Sequence, residues 1–252
     1  MSRLDDAALA RELAEEAGRL LVEVRDGSLP GAELKALGDA RSNALLIERL
    51  AELRPDDAVL SEEEKDDHVR LSASRCWIID PLDGTREYSE VPRDDWAVHV
   101  ALWQDGELVA GAVALPARGV TYATDQPHPR PTGTPDRIRL AVSRSRPPAF
   151  VTALAQTLDA ELVPMGSAGV KATAVLDDTV DAYVHAGGQY EWDSAAPVAV
   201  CAASGLHTSR IDGSPLRYNQ PDPLLPDLLV CRPEIAERLL TAIASTSMEA
   251  SA

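Results

Sequence analysis

Residues 76–85 read Cys76-Trp77-Ile78-Ile79-Asp80-Pro81-Leu82-Asp83-Gly84-Thr85. Four apolar residues without alternation predict a strand buried on both faces. That strand runs directly into two carboxylates three positions apart. Pro81 fixes its φ near about −65° and Gly84 permits a sharp turn, so Asp80 and Asp83 can point into one pocket. D-x-x-D-G alone is also an ordinary turn at a strand end. Its place directly behind four buried apolar residues favours a functional site.

Before this strand, Leu13, Ala17, Leu20, Leu21 and Val24 form one stripe of a 3.6-residue period, an amphipathic helix broken by Gly27, Pro30 and Gly31. A second helix is predicted to follow Gly38-Asp39, with Leu46, Leu50 and Leu53 on one face, and to stop before Pro55. Ala58-Val59-Leu60 reads as a short strand entering the acidic run Ser61-Glu62-Glu63-Glu64.

After it, residues 97–103 and 108–115 flank Asp105-Gly106, a hairpin signature, and 120–124 adds a third antiparallel strand. The Pro-rich stretch 125–136 marks an internal boundary, dividing the chain into an N-terminal α+β part, 1–135, and a C-terminal α/β part, 136–252. The second part reads as strand 139–142, helix 148–158, helix 168–176, strand 180–184, a helix from Trp192-Asp193 to Ala203, strand 228–231 and helix 233–244. This order predicts an α/β protein of stacked helix and sheet layers.

The 252 residues are 45% hydrophobic and 26% charged, a globular composition. Lys+Arg 24 against Asp+Glu 41 gives a net charge of −17, which argues against a nucleic-acid polymer or an anionic membrane surface as partner. Neither a signal-peptide core nor an 18-residue apolar run is present, so the expected location is cytoplasmic. Cys76, Cys201 and Cys231 are scattered in apolar stretches and read as buried thiols of a reduced compartment. His68, His99, His128, His185 and His207 show no ligand spacing and receive no role.

Glu62, at a strand end, and Asp193, at a helix start, extend the carboxylate set. Glu64 onward reads as a solvated charge run, and Asp193 reads equally as a helix N-cap. Four carboxylates converging on one pocket repel one another, and a hard divalent cation resolves that repulsion. Oxygen-only donors favour Mg²⁺, Mn²⁺ or Ca²⁺ over structural zinc, and Mg²⁺ recruits substrate phosphate. The chemistry therefore points to phosphoryl transfer or hydrolysis.

Ser61-Glu62-Glu63, Asp80-Pro81-Leu82-Asp83-Gly84-Thr85 and Trp192-Asp193-Ser194-Ala195-Ala196 together resemble the three signature blocks of the inositol monophosphatase superfamily. Within it the chain most resembles the bacterial CysQ-type 3′(2′),5′-bisphosphate nucleotidases, through Leu60-Ser61-Glu62-Glu63, 166–171, 191–196 and Pro215-Leu216-Arg217-Tyr218-Asn219. The resemblance implies a layered αβαβα sandwich of the inositol monophosphatase/fructose bisphosphatase type. It also implies a Mg²⁺-dependent, lithium-sensitive phosphatase of sulfur metabolism, with Mn²⁺ as substitute, Ca²⁺ as inhibitor and a homodimer allowed. Carried over, Glu62, Asp80 and the Leu82 carbonyl would hold one metal, and Asp80, Asp83 and Asp193 a second. Thr85, Asp39 and Glu62 would orient and deprotonate the attacking water. Asp39 also reads as the cap of helix 40–53, and Leu37 stands where many relatives carry Thr.

Asp83, Asp193 and the Gly84-Thr85 and Gly166-Ser167-Ala168 backbones are expected to meet substrate, the backbones at its phosphate. Lys171 is read as reaching a second phosphate or as a surface lysine. Arg217 and Tyr218 are candidates for the nucleotide end, with Tyr218 read alternatively as core; Tyr190, Trp192 and Tyr218 lean toward a base. The leading expectation is hydrolysis of the 3′-phosphate of 3′-phosphoadenosine 5′-phosphate, a small-molecule nucleotide. Inositol monophosphatase or fructose 1,6-bisphosphatase activity, and a non-catalytic nucleotide-binding regulator, remain the alternatives.

Overall fold

The computed structural model describes residues 5–27 and 29–249; residues 1–4, part of the stretch searched for a leader, lie outside it. The first helix, α1 (Asp6–Arg25), starts where the Asp5 carboxylate accepts the Ala8 N–H at 2.8 Å and buries Leu9, Leu13, Ala17, Leu21 and Val24. The second, α2 (Gly31–Leu53), begins well before Gly38. Gly38, expected to precede the helix, lies inside it because a Cβ there would sit 2.8 Å from the Tyr88 ring. Close packing thus accounts for a residue that costs a helix about 1 kcal/mol.

Among the described residues, ten strands form two five-stranded sheets. The first comprises β1 (Ala58–Ser61), β2 (Arg75–Asp83), β3 (Ala97–Gln104), β4 (Glu107–Leu115) and β5 (Val120–Ala123), in that order. Here β1 and β2 are parallel and the other pairs antiparallel. The β3–β4 turn carries positive φ at both Asp105 and Gly106, which favours the tight hairpin. The second sheet has the order β7-β6-β8-β10-β9, with β6 (Arg139–Ser143), β7 (Glu161–Met165), β8 (Ala182–Tyr190), β9 (His207–Ser209) and β10 (Leu224–Cys231).

Side chains alternate across β2. Trp77 and Ile79 join the core under α1 and α2, whereas Cys76 and Ile78 face the core shared with α5 (Ala168–Thr173) and α6 (Glu191–Ala203). That second core also takes Ala141, Tyr183, Leu228 and Val230 from the second sheet. The sheet's other face packs on α4 (Ala149–Leu158) and α7 (Pro233–Glu249) through Leu140, Val184, Leu229, Leu154 and Leu239. The layers are therefore αβαβα, and the middle helices lie between both sheets.

Several elements differ from the sequence expectation. β7 and β9 were not anticipated, α3 (Thr85–Ser89) starts directly at the Gly84 turn, and β8 continues to Tyr190 rather than stopping at 184. Pro164 obscures β7, which tolerates it as an edge strand. In β8, Gly187 and Gly188 both have positive φ and interrupt the pattern with a bulge opposite Leu225–Asp227. Among the described residues no helix is long and apolar enough to cross a membrane.

Candidate active site

The site grows from a bulge at the end of β2. Asp80 pairs with His99 across the sheet, but Asp83 pairs with Ala97, so β2 advances three residues while β3 advances two. In a regular strand, residues three apart face opposite sides. The extra residue lets both carboxylates turn to the face covered by α5 and α6. Asp80 Oδ1 accepts the Leu82 N–H at 3.0 Å, and Thr85 Oγ1 donates to the Leu82 carbonyl at 3.2 Å.

Asp193 arrives from α6. It is the third residue of that helix, not its N-cap, and its carboxylate accepts the Tyr190 N–H at 2.6 Å. Oxygens of Asp80, Asp83 and Asp193 lie within 4.8 Å of one another. Glu62, at the end of β1, lies close enough to Asp80 for each carboxyl to perturb the other's protonation.

Their protonation shows the strain of this crowding. Burial, then the charges of Glu62 and Asp83, pushes Asp80 well above the usual carboxylate range. Burial beside Asp83 raises Asp193 to about 6, and lost hydration together with Asp193 raises Glu62 to about 7. Glu62 remains open to solvent on its outer side. Asp83 goes the other way: burial would raise it, but His99, Lys171 and Ser167 outweigh burial and hold it below the ordinary range. An all-oxygen cluster with this repulsion fits a hard divalent cation.

Asp83 is enclosed by donors. Its Oδ2 accepts the Ser167 hydroxyl and the Gly169 N–H, the latter at 2.7 Å, at the start of α5. His99 Nε2 lies 3.2 Å from the same oxygen, too far off the N–H direction for a full hydrogen bond, while Nδ1 lies 3.0 Å from the Trp192 carbonyl. Burial alone would lower the His99 pKa; Asp83 raises it on balance.

On the other side, Asp39, Ser42 and Asn43 share one face of α2 that crosses the ends of β1 and β2. Ser42 Oγ donates to the Pro81 carbonyl at 2.7 Å, and Asn43 bonds Ser61 and Glu64 at 2.8 and 2.7 Å. Asp39 is interior to α2, so the capping reading falls. Burial and Glu63 raise its carboxyl to about 7.

Asp83, Ser167, Ala168, Lys171 and Asp193 open onto a cavity of about 480 Å³, whose other wall includes Arg146, His185 and Tyr190. That volume is in the range of small-molecule sites. The inositol monophosphatase family model matches residues 6–248.

The chain belongs to the inositol monophosphatase family.

Within that family, it is 57% identical over 239 residues to a Mycobacterium tuberculosis protein named 3′-phosphoadenosine 5′-phosphate phosphatase, covering 91% of this chain and 90% of the relative. It is 30% identical over 227 residues to the 3′(2′),5′-bisphosphate nucleotidase CysQ of Escherichia coli K12, covering 82% and 91%. Among solved structures, inositol monophosphatase II of Staphylococcus aureus superposes with a TM-score of 0.80 at 20% identity, covering 92% and 93%. CysQ from Bacteroides thetaiotaomicron gives 0.76 at 25% identity, covering 90% and 97%.

For this family member, the structure brings Glu62, Asp80, Asp83 and Asp193 together and sets Thr85 against Leu82. Other expectations need correcting. The Gly166 N–H is not aimed at a phosphate: it donates to Asp95 at 2.6 Å, and Gly166 leaves room for Glu87, whose Cγ a Cβ would meet at 2.3 Å. Lys171 is no surface residue; it is buried, donates to the Ser167 carbonyl at 2.7 Å and lies over the Tyr183 ring. Tyr218 is core, its hydroxyl 3.2 Å from that of Ser194, and exposed Arg217 does not line the cavity. His99 was passed over because a lone histidine in an apolar strand has no ligand spacing. Its place on the strand face of Ala97 and Ala101, which turns inward, was the available signal.

Proposed function

We propose that this protein is a Mg²⁺-dependent phosphatase that removes the 3′-phosphate of 3′-phosphoadenosine 5′-phosphate, giving AMP and phosphate. The observation that carries this reading is the Asp80–Asp83–Asp193 cluster, which opens through Asp83 and Asp193 onto a cavity with an aromatic and cationic opposite wall. The relatives' names, at 57% and 30% identity, support the choice of substrate.

Glu62, Asp80, Asp83, Asp193 and the Leu82 carbonyl are the groups that would hold the cation. When bound, it supplies Lewis acidity, offsetting phosphate charge and making water acidic enough to attack near neutral pH. The chain's own residues do the rest. His99, Lys171, Ser167 and the Gly169 N–H keep Asp83 ionised and fixed in direction. Thr85, bonded to the Leu82 carbonyl, stands at the turn where water would be oriented. Asp39, with its carboxyl near 7, is suited to take the proton that the attacking water gives up. One water is consumed, the P–O3′ bond breaks, and the ribose 3′-hydroxyl is released.

The deciding experiment compares phosphate release from 3′-phosphoadenosine 5′-phosphate, inositol 1-phosphate and fructose 1,6-bisphosphate by kcat/KM in Mg²⁺. A preference of about 100-fold for the nucleotide, about 2.7 kcal/mol of transition-state discrimination, is the expected result. Comparable rates on all three would replace it with a broad phosphatase, and no release from any with a binding protein.

A further inference from the structure

The turn from β7 into α5 carries a strained serine. Ser167 has φ 53° and ψ 138°, a conformation that residues with a side chain rarely adopt and that persists only where the surroundings over-determine it. Its hydroxyl donates to Asp83 Oδ2 and accepts the Val170 N–H at 3.0 Å. The strain therefore sits at the residue that aims one carboxylate of the cluster.

Two buried acids outside the cluster hold this turn. Asp95, 3% exposed and two residues ahead of β3, accepts the Gly166 N–H at 2.6 Å with Oδ2. Arg93 Nε donates to Asp95 Oδ1 at 2.8 Å. Burial would raise the Asp95 carboxyl, but Arg93 and the Gly166 N–H hold it below the ordinary range. It is thus an ionised acceptor, which makes the stronger hydrogen bond. Glu87 of α3 packs under Gly166 and accepts from Arg144 Nε at 2.6 Å, while the Arg144 N–H donates to the Met165 carbonyl at 3.3 Å. Both residues before Ser167 are pinned.

Asp95 also touches the other turn of the site. A Cβ on Gly84 would lie 3.2 Å from the Asp95 carbonyl oxygen and 3.2 Å from the Ser167 Cβ. One residue therefore bridges the turn that presents Asp83 and the turn that presents Ser167, although it does not line the cavity.

We propose that Asp95 is a positioning residue for the phosphatase site: through Gly166 it holds Ser167 in its strained conformation, and the Ser167 hydroxyl in turn fixes the direction in which Asp83 meets a divalent cation. This rests on the reading of the acidic cluster as a cation site. Partners that orient a metal ligand change metal affinity by about 10- to 100-fold.

The test follows Mg²⁺ binding directly, by calorimetry of the whole protein without substrate, with circular dichroism checking the fold of each variant. Asp95→Ala and Ser167→Ala are each expected to weaken Mg²⁺ binding at least about tenfold, and Asp95→Asn, which keeps an oxygen for Gly166 but not the charge, at least about threefold. In the Ser167→Ala background either Asp95 change should add less than about twofold, because the group it acts through is gone. Asp57→Ala removes a buried carboxylate bonded to Arg75 and Trp77 at the far end of the first sheet. It should lower the melting temperature and leave Mg²⁺ affinity within about twofold of wild type. Where Asp95→Ala does not fold, the cycle with Asp95→Asn decides. Unchanged affinity in the Asp95 variants, losses that multiply with that of Ser167→Ala, or an equal loss in Asp57→Ala overturns the positioning role while leaving the phosphatase reading standing. A wild type that binds no Mg²⁺ overturns the cation reading itself, and this inference with it.

Discussion

The Cβ that Gly169 lacks would lie 2.1 Å from Nε2 of His99, the ring nitrogen that sits 3.2 Å from Asp83. Helix α5 and strand β3 therefore meet through a glycine and a histidine, and the contact fixes both partners of one carboxylate. Gly169→Ala must push the ring or the helix start away from Asp83. Such overpacking costs about 1–3 kcal/mol of stability, and a displaced first turn also breaks the Gly169 N–H bond to Asp83. We expect phosphate release to fall at least about 100-fold, on the scale of a catalytic group displaced by about 1 Å, while circular dichroism stays native. Near wild-type turnover would show that this contact does not position Asp83.

Metal removal should expose the repulsion among the carboxylates. Asp193 is raised to about 6 and Glu62 to about 7, so without metal the folded chain binds protons that the unfolded chain has released above about pH 4.5. Stability must then fall as pH rises from about 4.5 to 7. His99, held above its ordinary value, adds to the fall at the upper end. Asp83, held low, contributes nothing that changes between pH 5 and 8. Melting temperatures in EDTA are expected to drop from pH 5 to pH 8, and saturating Mg²⁺ to flatten the curve by taking the place of the protons. A metal-free curve that is level over this range would contradict the cluster's electrostatics.

Much of this frame was legible because its signals are local. The unbroken 76–79 run gave the two-faced strand, and Asp105-Gly106 gave the hairpin. Carboxylates at strand ends gave Glu62, Asp80 and Asp83, and one at a helix start gave Asp193. What stayed hidden depends on partners distant in sequence. Gly38 looks like a helix boundary until Tyr88 is seen against it. Gly166 looks like a phosphate cradle until Asp95 is seen taking its N–H. His99 carries no pattern of its own; it acquires meaning only opposite Asp80 in the register and above Gly169 in the next layer.

The loop that carries Glu62 is fastened at its far end by a buried arginine. Arg70, 2% exposed, donates to Asn219 Oδ1 and the Gln220 carbonyl at 2.8 Å each and to Asp66 at 2.7 Å. Glu191 accepts the N–H groups of the same Asn219 and Gln220 at 2.6 and 2.8 Å. Arg70→Met keeps the volume but leaves these acceptors unanswered, a loss of about 2–4 kcal/mol. The expected readout is a melting temperature lower by about 5–15 °C in a chain of this size. A shift under 2 °C would mean that water replaces the guanidinium without loss.

Base recognition can be separated from phosphate chemistry at Tyr190. The residue is 46% exposed and lines the cavity, and its ring stacks on Trp192 at 4.7 Å with planes 11° apart. The stack holds the ring in place before any ligand arrives, so little side-chain entropy is lost when a flat base joins it. Stacking of a base on an aromatic side chain contributes about 1–3 kcal/mol, or about 5- to 150-fold in affinity. Tyr190→Ala should therefore raise KM for the nucleotide by at least about fivefold and leave KM for inositol 1-phosphate, which has no π-face, nearly unchanged. Equal increases for both would mean that Tyr190 shapes the cavity through Trp192 rather than receiving the base.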